Sequence, residues 1–295
     1  KQPTLGLDWG FKTWKWVRLQ KTAEDHPAID FADCLTVPEE ERERIPVLKK
    51  YILEKRLEGA PTAVAFLDED LHIRQLELPK MPKEDLREAI RWQMRDIAEE
   101  SLENYAVRYS ILNEKVLTDI VRLVLLGFAI KTDLIEKKKA FLERIGLRPF
   151  FLEPVPVAMA AMVEDLSPTR DTGWAGCVDL GLRHPYFVVL GNGRLFFVRS
   201  LPGLANVKLD DPEYPAKLSI ELQHALDAFF IAHSKEKIEK IFLAGGGSRQ
   251  PNLPQQVSQN IAIPTEILNP FQKLEWKGED PFLFGPALAC ARLNP

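Results

Sequence analysis

Residues 4–20, "TLGLDWGFKTWKWVRLQ", decide how this chain is read. An apolar run ends at Asp8, Gly10 follows, and an alternating apolar stretch resumes at Trp14. That pattern predicts a strand, a tight turn and a second strand. The turn combines Asp8, Gly10, Lys12 and Thr13 with the bulky Trp9, Phe11 and Trp14. One Asp-x-Gly turn is ordinary hairpin chemistry. The pattern returns at 177–190, "CVDLGLRHPYFVVL", as apolar run, Asp179, Leu180, Gly181, turn and apolar run. Two copies in equivalent positions argue for two lobes sharing one folding plan.

Working outward, alternation predicts strands over 4–8, 13–20 and 27–37, then a helix over 38–59 stopped at Gly59 and a buried strand over 62–67. Residues 71–78 alternate strictly. The helix over 83–100 places Leu86, Ile90, Met94 and Ile97 on one stripe. Strands over 105–112 and 119–130 follow, then a helix over 131–146 ending at Gly146. This β-α-β-β-α order predicts a small ferredoxin-like unit inserted into a larger domain. A strand runs into a helix at 153–163, and the polar loop over 164–173 is the expected lobe boundary. Beyond it come three strands with a "GNG" hairpin and a helix over 214–234. The strand over 240–244 meets three glycines, a helix starts near Pro251, a short strand covers 264–268, and an apolar helix opens at Gly285 and Pro286.

At 295 residues, with 45% hydrophobic and 28% charged residues, the chain has room for two lobes of an ordinary globular protein. Its net charge is -4 and no basic block stands out, which argues against nucleic acid as the main partner. No apolar run approaches the roughly 18 residues of a membrane span. The longest, at 120–130, contains Arg122 and reads as a buried strand. Three cysteines far apart give neither a disulfide framework nor a local metal motif, so a reducing cytoplasm is expected. No signal peptide is legible. The absence of an initiator Met suggests a trimmed chain, with a terminal extension or membrane anchor left open. The five histidines lack metal-ligand spacing, and neither "GxSxG", "GxxxxGK[ST]" nor "GxGxxG" occurs. Trp14 and Trp16 share one strand face, and burial against a helix is expected for both.

Asp8 and Asp179 each stand at a strand end beside a glycine. Backbone amides in such turns can face phosphate oxygens, because glycine lets the main chain approach closely. A carboxylate there can hold Mg²⁺ through water. The stretch 244–248, "AGGGS", offers a flat backbone for a purine or sugar, or else a loop that needs positive φ.

Together these segments resemble the actin, Hsp70 and FtsA ATPase superfamily. Its first phosphate loop is similar to "LDWGFKTWK", its second to "VDLGLRHPYF", its adenosine motif to "IFLAGGGSRQPNL", and its connecting helix to "LEPVPVAMAA". Within the superfamily, "LELPKMPKEDLREAIRWQM" and "FLERIGLRPFFLEPVPVAM" resemble the segments that enter and leave subdomain 1C of PilM-type proteins. The resemblance implies an α/β, actin-like (FtsA/PilM type) two-lobe fold with an inserted ferredoxin-like 1C subdomain. Subdomain 1A would take 1–69 and 148–168, 1C would take 70–147, and lobe 2 (2A with inserted 2B) would take 169–295. It implies ATP and Mg²⁺ as cofactors, with Asp8 and Asp179 holding Mg²⁺ through water. Gly10, Lys12, Thr13, Gly181 and Arg183 would lie at the phosphates. Gly245, Gly246 and Gly247 would line the adenosine, Glu221 and His224 would contact ribose and base, and Glu153 would stand near the attacking water.

The departures point the other way. Loop one carries Phe11 and Lys12, and loop two carries Leu182, Arg183, His184 and Pro185, where small hydroxyl residues are usual. Losing hydroxyls and adding a proline removes phosphate donors, with Lys12, Arg183 and His184 as the candidate replacement cations. The expected function is a cytoplasmic scaffold of a type IV pilus assembly platform, with ATP binding weakened and at most a weak ATPase activity. The implied partner is the N-terminal peptide of a PilN-like inner-membrane protein, which would hold the chain at the inner membrane without a span of its own. Self-association is left open. The alternatives are a nucleotide-free GspL-like component of type II secretion and an active actin-like ATPase.

Overall fold

The computed structural model describes residues 3–21, 26–97, 102–117, 120–167, 173–208, 211–233 and 236–295. The chain forms two compact units, residues 1–67 with 142–295, and residues 68–141.

The larger unit contains two five-stranded sheets with one plan. In the first, β1 (Leu5–Trp9) runs antiparallel to β2 (Thr13–Lys21), and β2 antiparallel to β3 (Pro27–Thr36). On its other side β1 is parallel to β4 (Pro61–Phe66), which is parallel to β8 (Arg148–Pro154), giving the order β3-β2-β1-β4-β8. The second sheet repeats this with β9 (Trp174–Asp179), β10 (Tyr186–Gly191), β11 (Arg194–Ser200), β12 (Ile238–Ala244) and β13 (Thr265–Ile267), in the order β11-β10-β9-β12-β13. The echo between 4–20 and 177–190 is therefore a duplicated topology.

A shared core holds the sheets together. Helices α4 (Val155–Leu166) and α7 (Gly285–Ala291) pack with Ala63 and Ala65 of the first sheet and with Cys177, Val188 and Phe242 of the second. Small side chains make this possible. α7 reads "GPALACA" and is buried along its length. Its backbone lies so close to β1 that a Cβ on Gly6 would fall 1.9 Å from the Ala287 carbonyl oxygen. Trp14 and Trp16 are fully buried on one face of β2, and the Trp16 ring sits 5.5 Å from Tyr51 of α1 (Glu41–Glu54). That helix stops short of the expected Gly59. Arg56 takes a left-handed φ of 54°, and the Leu57 N–H donates back to the Ile52 carbonyl.

The smaller unit is a three-stranded antiparallel sheet, order β5-β7-β6, with β5 (His72–Pro79), β6 (Tyr105–Leu117) and β7 (Ile120–Lys131). Leu86 and Ile90 of α2 (Lys83–Gln93), with Met94, pack on Leu76, Leu78, Leu123 and Leu125. The expected β-α-β-β-α order is present, with α3 (Thr132–Arg144) as its last helix. β6 runs five residues beyond the expected end at Leu112, because a register shift between Ile111 and Asn113 interrupts alternation there while pairing with β7 continues. Residues 98–100 of the expected helix and 168–172 of the expected lobe boundary lie outside the described residues.

In the larger unit, α5 (Tyr214–Ala232) and α6 (Leu253–Ile261) complete the helices. Among the described residues no helix is long and apolar enough to cross a membrane. Cys34, Cys177 and Cys290 are free thiols.

Candidate functional site between the two hairpin turns

The two aspartates occupy matching places in the duplicated hairpins, and each is met by the residue directly across from it. Asp8 pairs in register with Lys15, and Asp179 with Tyr186. The Lys15 ammonium lies 3.1 Å from Asp8 Oδ2, and the Tyr186 hydroxyl donates to Asp179 Oδ2 at 3.1 Å. Cross-strand neighbours are close enough for such pairs to form without any contribution from loops.

Charge at this centre is tightly coupled. Burial by itself lowers the pKa of the Lys15 ammonium, but the Asp8 carboxylate, with a smaller push from Asp179, turns the net shift upward. Asp179 is raised to about 6, first by burial and then by the negative charge of Asp8. Lys15, the Tyr186 hydroxyl and the Gly181 N–H oppose that rise. The Lys15 ammonium thus pairs with Asp8 and acts electrostatically on Asp179. Thr13 hydrogen-bonds the Cys34 thiol, which sits across from Lys15 in the β2–β3 register.

The glycine triplet divides by position. Gly245 has φ +80°, and a Cβ there would fall 2.3 Å from Asp179 Oδ1. A Cβ on Gly247 would fall 2.4 Å from the Tyr214 hydroxyl and 2.6 Å from Leu180 Cβ. Only Gly246 of the three opens onto free space. Both readings of "AGGGS" therefore apply to different residues. Gly245 meets the need for positive φ and close approach, while Gly246 presents bare backbone.

The turns themselves meet. The Arg183 guanidinium, from the turn after β9, stacks on the Phe11 ring from the turn after β1, with Cζ 3.3 Å from the ring centroid. In the first turn, a Cβ on Gly10 would come 2.4 Å from the Thr13 carbonyl oxygen and 3.1 Å from Lys15 Nζ.

Two features of this arrangement differ from those expected around a magnesium nucleotide. Asp8 and Asp179 are close enough to interact, as water-mediated Mg²⁺ binding would require, but the neighbouring cation is Lys15. Among the described residues no three His, Cys, Asp or Glu side chains are grouped to hold a metal. The Phe11 ring and the Arg183 guanidinium are in contact between the two turns, where the resemblance would put phosphate.

Of the other candidate residues, Lys12 points outward as an exposed side chain, and its carbonyl accepts from the Val37 N–H. Glu221 packs over Gly203, where a Cβ would lie 2.5 Å from its Oε1, and His224 is exposed on α5. Glu153 belongs to the end of β8 and not to the following helix, which begins at Val155. Burial pushes its carboxyl up to about 7, a value suited to proton exchange near neutrality.

Sequence reasoning missed Lys15 and Tyr186. The signal was present, because counting across the turn from Asp8 reaches Lys15, and counting from Asp179 reaches Tyr186. Arg183 was singled out as a cation for phosphate, whereas its contact in this structure is the Phe11 ring.

Residues 201–281 match the family model described as type IV pilus assembly protein PilM. None of the curated protein sequences matches the chain. In three dimensions it is similar to PilM in a structure of the PilM–PilN type IV pilus biogenesis complex. That match has a TM-score of 0.79 and 20% identity, over 98% of this chain and 96% of that one. A Bacteroides thetaiotaomicron protein with an actin-like ATPase fold and unknown function matches with TM-score 0.56 and 13% identity, over 100% and 97% of the two chains. The cytoplasmic domain of EpsL, an inner-membrane component of the Vibrio cholerae type II secretion system, matches with TM-score 0.53 and 11% identity, over 98% and 93%. The chain is thus PilM-like, with the α/β fold of the actin-like ATPases and, over residues 201–281, the sequence pattern of the type IV pilus assembly protein PilM family.

Proposed function

We propose that this chain is a cytoplasmic scaffold of an inner-membrane type IV pilus assembly platform, held there by the N-terminal tail of a PilN-like membrane protein. The match of residues 201–281 to the PilM family model carries this reading. The backbone likeness to PilM in its complex with PilN supports it. In this reading residues 70–147 are subdomain 1C, residues 1–69 and 148–168 are 1A, and residues 169–295 form lobe 2, with 2A and an inserted 2B.

Nucleotide binding at Asp8, Gly10, Thr13, Asp179, Gly181 and the glycine triplet is weakened in this proposal. A ligand can drive such a scaffold only through different affinities for its conformations, and the Phe11–Arg183 stack opposes ATP as that ligand. The direct test is fluorescence anisotropy of a labelled synthetic peptide with the sequence of the cytoplasmic N-terminal tail of a PilN-like membrane protein. Saturable binding is expected, and a flat titration would remove the pilus assignment. ATP turnover at about 1 per second, at the low end for working enzymes, would replace the scaffold with an ATPase. The likeness to the EpsL cytoplasmic domain favours a second reading, a nucleotide-free component of type II secretion. That reading predicts no binding of the pilus peptide.

A further inference from the structure

Phe11 and Arg183 join the tips of the two duplicated turns, with Cζ 3.3 Å from the ring centroid. A planar guanidinium on an aromatic face combines dispersion with attraction to the ring quadrupole. Lys15 holds Asp8 at 3.1 Å and also acts electrostatically on Asp179. The stack joins the tips of the turns, and the Lys15 ammonium of the first hairpin also acts electrostatically on Asp179 of the second.

We propose that Phe11 and Arg183 are the residues that decide ligand selection in this cleft. Their stack closes the two turns on each other and excludes a nucleoside triphosphate, while Lys15 supplies the positive charge that a metal ion would otherwise bring to the aspartates. This deepens the scaffold reading and rests on it for the biological meaning of a cleft closed without nucleotide. The physical argument is separate. A triphosphate entering between the turns must part the stack, and it then meets carboxylates whose nearby cation is already engaged. Arg183 has the charge to serve phosphate directly, so the two roles predict opposite responses to its removal.

The experiment titrates a fluorescent ATP analogue, with excess Mg²⁺, into the full chain and into Arg183→Ala, Arg183→Lys and the double variant Phe11→Ser/Arg183→Ala. Thermal melting by circular dichroism checks folding, and Arg183→Lys keeps the surface charge while losing the planar stack. The expected result is little or no saturable binding by the wild type. Each variant should gain at least about tenfold in affinity, of the order of one strong cation–π contact. Hydrogen exchange at residues 10–13 and 182–185 should quicken in the same variants. Weaker binding in Arg183→Ala than in the wild type would overturn the proposal and make Arg183 a phosphate ligand. Unchanged affinity in the folded variants would overturn it as well. Titrating the PilN-like tail peptide into the same samples separates the two ideas, because loss of peptide binding in the wild type removes the scaffold reading alone.

Discussion

Glu153 offers a prediction whose size and sign both follow from burial. Burial raises its folded-state pKa to about 7, against an ordinary value of 4.5. The folded state therefore keeps this proton longer than the unfolded chain does. The stability linked to the proton is fully present below about pH 4.5 and is lost as pH rises through 7. The difference, 7 minus 4.5, is about 2.5 pH units. At about 1.36 kcal/mol per unit the accumulated loss is about 3 kcal/mol at pH 8 and less than about 1 kcal/mol at pH 5. Glu153→Gln keeps the shape and removes the charge, so it should stabilise the protein by those amounts. For a chain of this length the unfolding entropy is about 0.6 kcal/mol/K, which converts the pH 8 gain into a Tm about 5 °C higher. Differential scanning calorimetry of both proteins at pH 5 and pH 8 is the assay. An equal Tm difference at the two pH values would refute the reasoning, since a carboxylate penalised by burial must show its cost only when ionised.

Two further outcomes test the site. Lys15→Met should cost roughly 3–5 kcal/mol in urea unfolding by leaving the buried Asp8 carboxylate unpaired, and adding Asp8→Asn should recover much of the loss. If the double variant is as unstable as the single one, the pair is not the reason. Gly245→Ala should lower Tm, since it combines φ +80° with a contact 2.3 Å from Asp179 Oδ1, while Gly246→Ala should change stability by under about 1 kcal/mol. Equal losses at the two positions would undo the division of the glycine triplet.

The sequence by itself determined the parts that rest on short-range physics. Strand alternation, turn chemistry and helical stripes need only neighbouring residues, so the duplicated hairpins, the β-α-β-β-α unit and the buried Trp14 and Trp16 were legible. The same local logic places Lys15 opposite Asp8 and Tyr186 opposite Asp179, yet it does not say that either pair is buried or that the Lys15 charge also reaches Asp179. Those features depend on the second sheet being brought against the first, with Gly6 and the alanines of α7 allowing the approach. Tertiary structure also decided the role of Arg183. Charge alone suggests a phosphate ligand, whereas an aromatic ring from a turn some 170 residues away gives it a stacking partner. The physical reason is that charge and shape are properties of a residue, but burial and distance are properties of the packed chain, and at this cleft the second pair sets the chemistry.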